Sequence, residues 1–522
     1  MTTSPRGPRE WWRDVLRSPL HVCSPMVDQS ELAYRMLLRR RYIPSEQQQS
    51  GLLCYTPMLH ASKFASDHTY RRQRFSTCPE EKALGGGLIA QFCGDNPETL
   101  LAAAKFVEND VDAVDLNLGC PQAIAQRGNY GAFLMRQRDA CVAIVRAWRD
   151  ELPIPCTAKV RLLDEKSPRA EERGLQGTIN FCRELEAAGV HALTVHGRTR
   201  AQTGFRTGAA SWESIRHVRE ALQGQGTLAD GATARGLPVI ANGGIETGAD
   251  VRKCLLQTGA DAVMSAEALL ENPVLFNCES PALNALSPPR GASSPVAFPS
   301  LSARTSPPSL RARVSTATCF ARDYLSLARE HPPSDFYKCV KAHCLKLLHL
   351  PLRVAQRGAA STGAGDACAL VFGAENTAQL SVAIDALDAA LLSPAPPQTS
   401  ECTGDGAFSE GQTSCRPSGH WSKLEEDLVE EEDEEEWRAN TWYRRHRDLT
   451  LKSHSGSAEG AQDAAQDRIK RKELRRDKYS NMGFRGLQPA GAATAITRSV
   501  ESWSQSRTAA AAAAAALPTN PT

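Results

Sequence analysis

The stretch Asp115-Leu116-Asn117-Leu118-Gly119-Cys120-Pro121-Gln122 ends an apolar run in which Val111, Ala113, Val114, Leu116 and Leu118 lead up to it. Such a run reads as a buried strand. Gly-Cys-Pro stops it abruptly, because glycine permits a sharp turn and proline fixes φ and lacks an N–H. The strand therefore delivers one thiol to its C-terminal end. A buried cysteine is most often just a small apolar side chain, so Cys120 alone does not decide between packing and chemistry.

Working outward from that strand, seven similar runs surround it: His21–Met26, Leu52–Leu59, Leu88–Cys93, Cys156–Leu162, Ala192–Arg198, Pro238–Gly244 and Ala262–Leu269. Helix-like segments with start signals lie between them. Asn96-Pro97-Glu98 opens 97–109, Ser211-Trp212-Glu213 opens 212–222, and Glu246-Thr247 opens 248–257, which stops at Gly259. Eight βα repeats over roughly 250 residues predict a (β/α)8 TIM barrel. The competing doubly wound sheet lacks a GxGxxG after its first strand. The expected organisation is a tail at 1–17 with a Trp11-Trp12 anchor, the barrel at 18–277, a Pro/Ser-rich disordered insertion at 278–312, a small all-α domain at 313–394, and a long disordered C-terminal tail at 395–522. Pro44–Gly51 and Leu222–Gly236 read as long loops inside the barrel.

Composition narrows the class further. The 522 residues are 41% hydrophobic, enough for a sizeable core, and Lys+Arg 61 against Asp+Glu 59 leaves a net charge of +2. That balance hides local extremes, with ten acids in 425–436 and seven Lys/Arg in 468–478, while an alanine run fills Ala509–Ala516. The sixteen cysteines are scattered without CxxC or zinc spacing, and the chain shows neither a membrane span nor a secretory signal. Reduced thiols in a cytoplasmic or nuclear monomer are the expectation. Within 313–350 a helical wheel gathers Phe336, Val340, Cys344 and Leu347 on one face and Lys338, Lys341, Lys346 and His349 on the other. This is either a solvated face or a track for a phosphate backbone.

A TIM barrel builds its site where the strands end. Those ends carry Ser24-Pro25-Met26-Val27, Gln91, Asn117 with Cys120, Lys159, His196-Gly197-Arg198-Thr199, Asn242-Gly243-Gly244 and Ser265-Ala266-Glu267. Each polar group has a bland reading. Lys159 could pair with Asp115, and His196 could be a hydrogen-bonded core histidine. Six polar strand ends on one rim are harder to explain that way. The glycine-rich end Asn242-Gly243-Gly244, next to the last strand end, suits a phosphate, and an amide, a lysine and a phosphate site together suit a flavin.

Four of these stretches, DLNLGCPQ at Asp115–Gln122, TVHGRT at Thr194–Thr199, SPMVDQSE at Ser24–Glu31 and YTPMLH at Tyr55–His60, resemble the tRNA-dihydrouridine synthase family, most closely its eukaryotic branch acting on D-loop uridines 16 and 17. The resemblance runs from about 18 to 276 and resumes over roughly 318–350. It implies an FMN-binding barrel that, with NADPH or NADH as reductant, reduces uridine in tRNA to 5,6-dihydrouridine. Hydride would go to C6 and a proton from Cys120 to C5. By matching position it implies FMN contacts from Pro25, Met26, Val27, Gln91, Lys159, His196, Asn242, Gly243 and Gly244, with Ala266 and Glu267 at the phosphate side. Many members carry Gly-Arg at that last position, so Glu267 is expected to turn away from the phosphate. Asn117 and Arg198 are expected to line the site, and Lys338, Lys341 and Lys346 to meet tRNA phosphates. Cys402 and Cys415 cannot by themselves complete the zinc segment common in this branch, so no metal is expected. The rival readings are a dehydrogenase of free pyrimidines or dihydroorotate, and a non-catalytic RNA-binding barrel.

Overall fold

A computed structural model of the chain describes residues 7–43, 51–164, 173–203, 207–223, 236–277, 310–334, 336–357 and 364–392. The long loops expected at 44–51 and 222–236 fall mostly outside these residues. So do most of the 278–312 insertion and the whole 395–522 tail with its acidic and basic runs.

Among the described residues nine strands form one parallel sheet: β1 (His21–Cys23), β2 (Leu53–Tyr55), β3 (Leu59–His60), β4 (Leu88–Cys93), β5 (Ala113–Leu118), β6 (Cys156–Leu162), β7 (Leu193–Thr199), β8 (Val239–Asn242) and β9 (Ala262–Ser265). β1 pairs with both β9 and β2, and β2 pairs with β4, so the sheet closes into an eight-position TIM barrel. The run expected as one strand over Leu52–Leu59 is two, β2 and β3, and both lie against β4. Pro57 separates them, since it has no N–H for the ladder. The surrounding helices begin and end where capping chemistry places them. Asn96 accepts from the Thr99 N–H at 2.8 Å, Ser211 accepts from the Ser214 N–H at 3.1 Å, and Thr247 forms a capping box with Asp250 ahead of a helix that stops at Gly259.

The barrel interior is layered. Its lower half is apolar, with Val22, Leu53, Tyr55, Ile89, Ala113, Ala192, Ile240, Ala262 and Met264 in one cluster. Trp11, Trp12 and Leu16 complete that cluster, so the expected N-terminal tail is folded into a plug. Trp11 stacks edge-on to His191 at 6.0 Å, and Arg9 forms an ion pair with Asp261. The upper half is polar, and strand register sets its rows: Gln91 beside Asp115 beside Thr157, Asn117 beside Lys159, and Arg161 beside His196 beside Asn242. A period of two along each strand sends these residues inward together.

Among the described residues five helices follow the barrel, Leu310–Glu330, Phe336–Leu347, His349–Arg357, Ala364–Gly373 and Thr377–Leu392. The first reaches back to Leu310, inside the span expected to be disordered. It packs on the barrel helix Leu32–Arg41, where Arg41 pairs with Asp323 and Tyr324 donates to Glu31 at 2.7 Å. Among the described residues no helix is long and apolar enough to cross a membrane.

Candidate active site

The thiol turn after β5 is held by Asn117. Its Oδ1 accepts from the backbone N–H groups of Gly119 (3.1 Å) and Cys120 (3.0 Å), a side-chain brace that mimics a backbone turn. Its Nδ2 donates to Gln91 Oε1 at 2.7 Å. Gln91 in turn donates from Nε2 to Asp115 Oδ2 at 2.9 Å, and Thr157 donates to Asp115 Oδ1 at 2.7 Å. Burial pushes the Asp115 carboxyl up to about 6, against the opposing pull of the Thr157 and Gln91 hydrogen bonds. On the far side the Cys120 carbonyl accepts from the Ala132 N–H at 3.0 Å. Gly131, at φ +67°, allows that approach: a Cβ there would lie 2.7 Å from the Cys120 oxygen. Cys120 is thus fixed through its backbone while its thiol stays half-buried. Burial raises the thiol above its ordinary value, outweighing the Gln122 backbone, Arg161 and Lys159, all of which lower it.

The next three strands add donors to the same rim. Lys159 is buried and donates to Asn242 Oδ1 at 2.9 Å, so the pairing with Asp115 considered from the sequence is not the one formed. Asn242 donates onward to the Met264 carbonyl at 2.9 Å. Burial first, and then the neighbouring Arg161, bring the Lys159 ammonium down to about 8. Arg161 donates to the carbonyls of Gly119 (2.8 Å) and Thr199 (2.9 Å), tying the thiol turn to the end of β7. His196 is half-buried with Nε2 3.2 Å from Arg198, whose Nε donates to the Gly208 carbonyl at 3.0 Å. Gly243, at φ +104°, lies so close to His196 that a Cβ would come within 2.8 Å of the imidazole Cδ2. Trp212 donates to the Gly243 carbonyl at 2.9 Å and flanks Gly244.

The remaining strand ends close the rim. Pro25 and Met26 are half-buried and Val27 is 53% exposed. Ser30 shapes their turn by accepting from the Met26 N–H at 3.0 Å. Ala266 precedes the short helix Glu267–Glu271, and the exposed Glu267 carboxylate acts electrostatically on Lys346 of the helical region.

The expected basic face requires correction. Phe336, Val340, Cys344 and Leu347 do face inward, but Lys346 is also buried, and burial lowers its ammonium to about 8. Lys341 donates to the carbonyls of Phe372 (2.8 Å) and Ala374 (2.7 Å). His349 belongs to the next helix and lies 3.2 Å from Glu271. Only Lys338 of the four is exposed. A wheel drawn for one continuous helix misses the break at Leu348 and the packing on two sides.

The sequence model of the family described as Dihydrouridine synthase (Dus) matches residues 22–294, just over half of the chain and the whole rim described above. The chain belongs to the dihydrouridine synthase family. It is 38% identical over 350 residues to the mouse (Mus musculus) tRNA-dihydrouridine(16/17) synthase (NAD(P)(+))-like protein, covering 67% of this chain and 59% of that one. It is 42% identical over 264 residues to the tRNA-dihydrouridine(16/17) synthase (NAD(P)(+)) of Saccharomyces cerevisiae, covering 51% and 56%. The human tRNA-dihydrouridine(20a/20b) synthase-like protein is 32% identical over 262 residues, covering 49% and 70%. The similarity therefore favours the eukaryotic 16/17 branch of the dihydrouridine synthases. The chain spans about three-fifths of the length of the first two of these relatives. Sequence reading missed Asp115, Thr157 and Arg161 as parts of this family member's site. The signal was present: each stands two residues from a residue already picked out on its own strand, Asn117 or Lys159.

Proposed function

We propose that this dihydrouridine synthase family member reduces uridine to 5,6-dihydrouridine in the D-loop of tRNA with FMN and NADPH or NADH, and that Cys120 is the acid. The observation that carries the reading is the thiol turn of Cys120, clamped through its backbone on the same rim as the buried Lys159. The residues present suit FMN. Gly243 and Gly244 hold positive-φ backbone conformations that leave this turn without side chains and let His196 pack against it, while Lys159, His196 and Asn242 supply polar contacts beside them. Pro25, Met26 and Val27 would bound the ring edge, with Ala266 and Glu267 at the phosphate side. Bound and reduced, FMN would supply the hydride taken up at C6 of the uracil.

The chain's own residues do the rest. Cys120 holds a proton at Sγ and gives it to C5, and burial keeps that thiol protonated at neutral pH without a partner base. Asn117, braced by Gln91 and Asp115, keeps the sulfur in place. Gln91 is 1% exposed and engaged at both ends of its amide, so it acts mainly through this brace. Lys159 and His196 are placed to polarise a carbonyl oxygen as charge builds on it. A base drawn out of the folded D-loop would fill the rim, with the exposed Lys338 near the backbone.

Incubating the purified protein with NADPH and tRNA lacking dihydrouridine is expected to give dihydrouridine at D-loop positions, with no turnover of free uracil or dihydroorotate. Turnover of the free base alone would establish the dehydrogenase instead. A colourless protein that cannot be reconstituted with FMN would favour a non-catalytic barrel. Gly243→Ala is expected to push His196 off its position and to lower flavin retention on purification. Wild-type flavin content in that variant would remove Gly243 from the cradle.

A further inference from the structure

We propose that Glu31, Cys339 and His343 bind a divalent transition metal of the zinc class, which pins the helical region to the barrel. Among the described residues these three converge closely enough to share an ion, with one ligand atom each and all three atoms within 4.8 Å of one another. Cys339 and His343 stand at i and i+4 on the helix Phe336–Leu347, which puts thiol and imidazole on one face. Glu31 comes from the other body. It caps the barrel helix Leu32–Arg41, 312 residues from His343, and its Oε2 lies 3.2 Å from His343 Nε2.

The donor set argues for the metal class. Thiolate, imidazole and carboxylate together match zinc and its neighbours, whereas calcium and magnesium take oxygen ligands. A divalent ion would be neutralised by one thiolate and one carboxylate, which suits a site where His343 is fully buried and Cys339 is 5% exposed. The Tyr324 hydroxyl lies 2.7 Å from Glu31 Oε1 and 3.9 Å from Cys339 Sγ, beside two of the three ligands. Tyr34 stacks on the His343 ring at 4.4 Å and 21° and is itself anchored by a hydrogen bond to the Leu269 carbonyl, so the imidazole plane is set from behind. Cys339 and Glu31 also line a pocket that opens to solvent, an entry path for an ion. The sequence-based expectation of no metal considered Cys and Cys/His spacing along the chain, and residues as far apart as Glu31 and His343 lie outside any such spacing. The alternative is a proton-only latch, in which Tyr324 and His343 donate to Glu31 and Cys339 donates to the Asp28 carbonyl at 3.1 Å.

The test is a titration of chelator-treated full-length protein with Co(II), followed by Zn(II). The expected result is one tight Co(II) per chain with a thiolate-to-cobalt charge-transfer band. Zn(II) should displace that band, and the melting temperature should rise with added Zn(II). Cys339→Ser should lose the band, while His343→Gln and Glu31→Gln should lose the tight stoichiometry. No band in the wild type, together with a melting temperature indifferent to Zn(II), would establish the proton-only latch. An undiminished band in Cys339→Ser would assign the metal to another cysteine. The wild-type titration decides the matter even if a variant folds poorly.

Discussion

Replacing Cys120 with alanine is expected to lower dihydrouridine formation by about 10²- to 10⁴-fold, the usual worth of a positioned general acid, while FMN and tRNA binding stay near wild type. The selectivity follows from how the residue is held. Its N–H is fixed by Asn117 Oδ1 and its carbonyl by the Ala132 N–H, and neither contact uses the side chain. The substitution therefore removes the thiol and leaves the turn. The measurement is single-turnover reduction of tRNA by pre-reduced enzyme, with flavin content and tRNA affinity measured in parallel. A wild-type rate would place the acid elsewhere. An equal loss of flavin would show that the turn had collapsed.

The same reaction should have an alkaline limb, and its owner can be told apart. Burial raises the Cys120 thiol and lowers the Lys159 ammonium to about 8, so as pH rises the lysine loses its charge before the cysteine loses its proton. The wild-type rate is expected to fall as pH passes about 8, and Lys159→Arg should move the fall upward, because a guanidinium keeps its proton far beyond that range. A limb that stays put in Lys159→Arg would belong to Cys120.

Much of this arrangement was legible in the sequence because parallel barrel strands are buried on both faces. A polar residue on such a strand breaks a continuous apolar run and stands out, as Lys159 does in Ala-Lys-Val-Arg and Asn117 in Leu-Asn-Leu. Cys120 was marked by the Gly and Pro beside it. What could not be read was partnership across strands. Register decides that Lys159 meets Asn242 rather than Asp115, and register depends on strand lengths and turns that no local pattern states. The Trp11-Trp12 plug was visible as an anchor without a destination, since only barrel closure creates the floor it fills. Lys346 looked solvated because a wheel knows one helix, whereas this helix is packed between the barrel and the helices that follow. Glu31, Cys339 and His343 show the same limit most sharply, as no spacing rule joins residues from two separate bodies.

The largest expected stability effect lies away from the chemistry, at Arg35. Its guanidinium forks onto Glu81 at 2.6 and 2.9 Å and donates to the carbonyls of Ser30 and Ser76, both at 2.8 Å, with Arg35 1% and Glu81 2% exposed. Four acceptor oxygens on three residues thus depend on one side chain. Arg35→Met would leave the Glu81 carboxylate buried with only Arg39, 3.6 Å away, and the Thr77 hydroxyl, and removing one partner of a buried pair costs about 3–5 kcal/mol. Arg35→Met/Glu81→Leu, which removes both charges, should recover most of that loss, so the pair contributes less than its breakage suggests. The pH dependence carries a matching sign. Burial would raise the Glu81 carboxyl, but the charge and hydrogen bonds of Arg35, then Arg39, outweigh it and hold the group below its ordinary value. Its contribution is therefore fully present above the ordinary carboxylate pKa and is lost as pH falls through the lower native value. Urea midpoints measured across the acid range should drop for the wild type along this course and stay flatter for the double variant. Equal stability of wild type and Arg35→Met at neutral pH would mean that Arg39 alone can neutralise Glu81, making Arg35 a redundant member of the cluster.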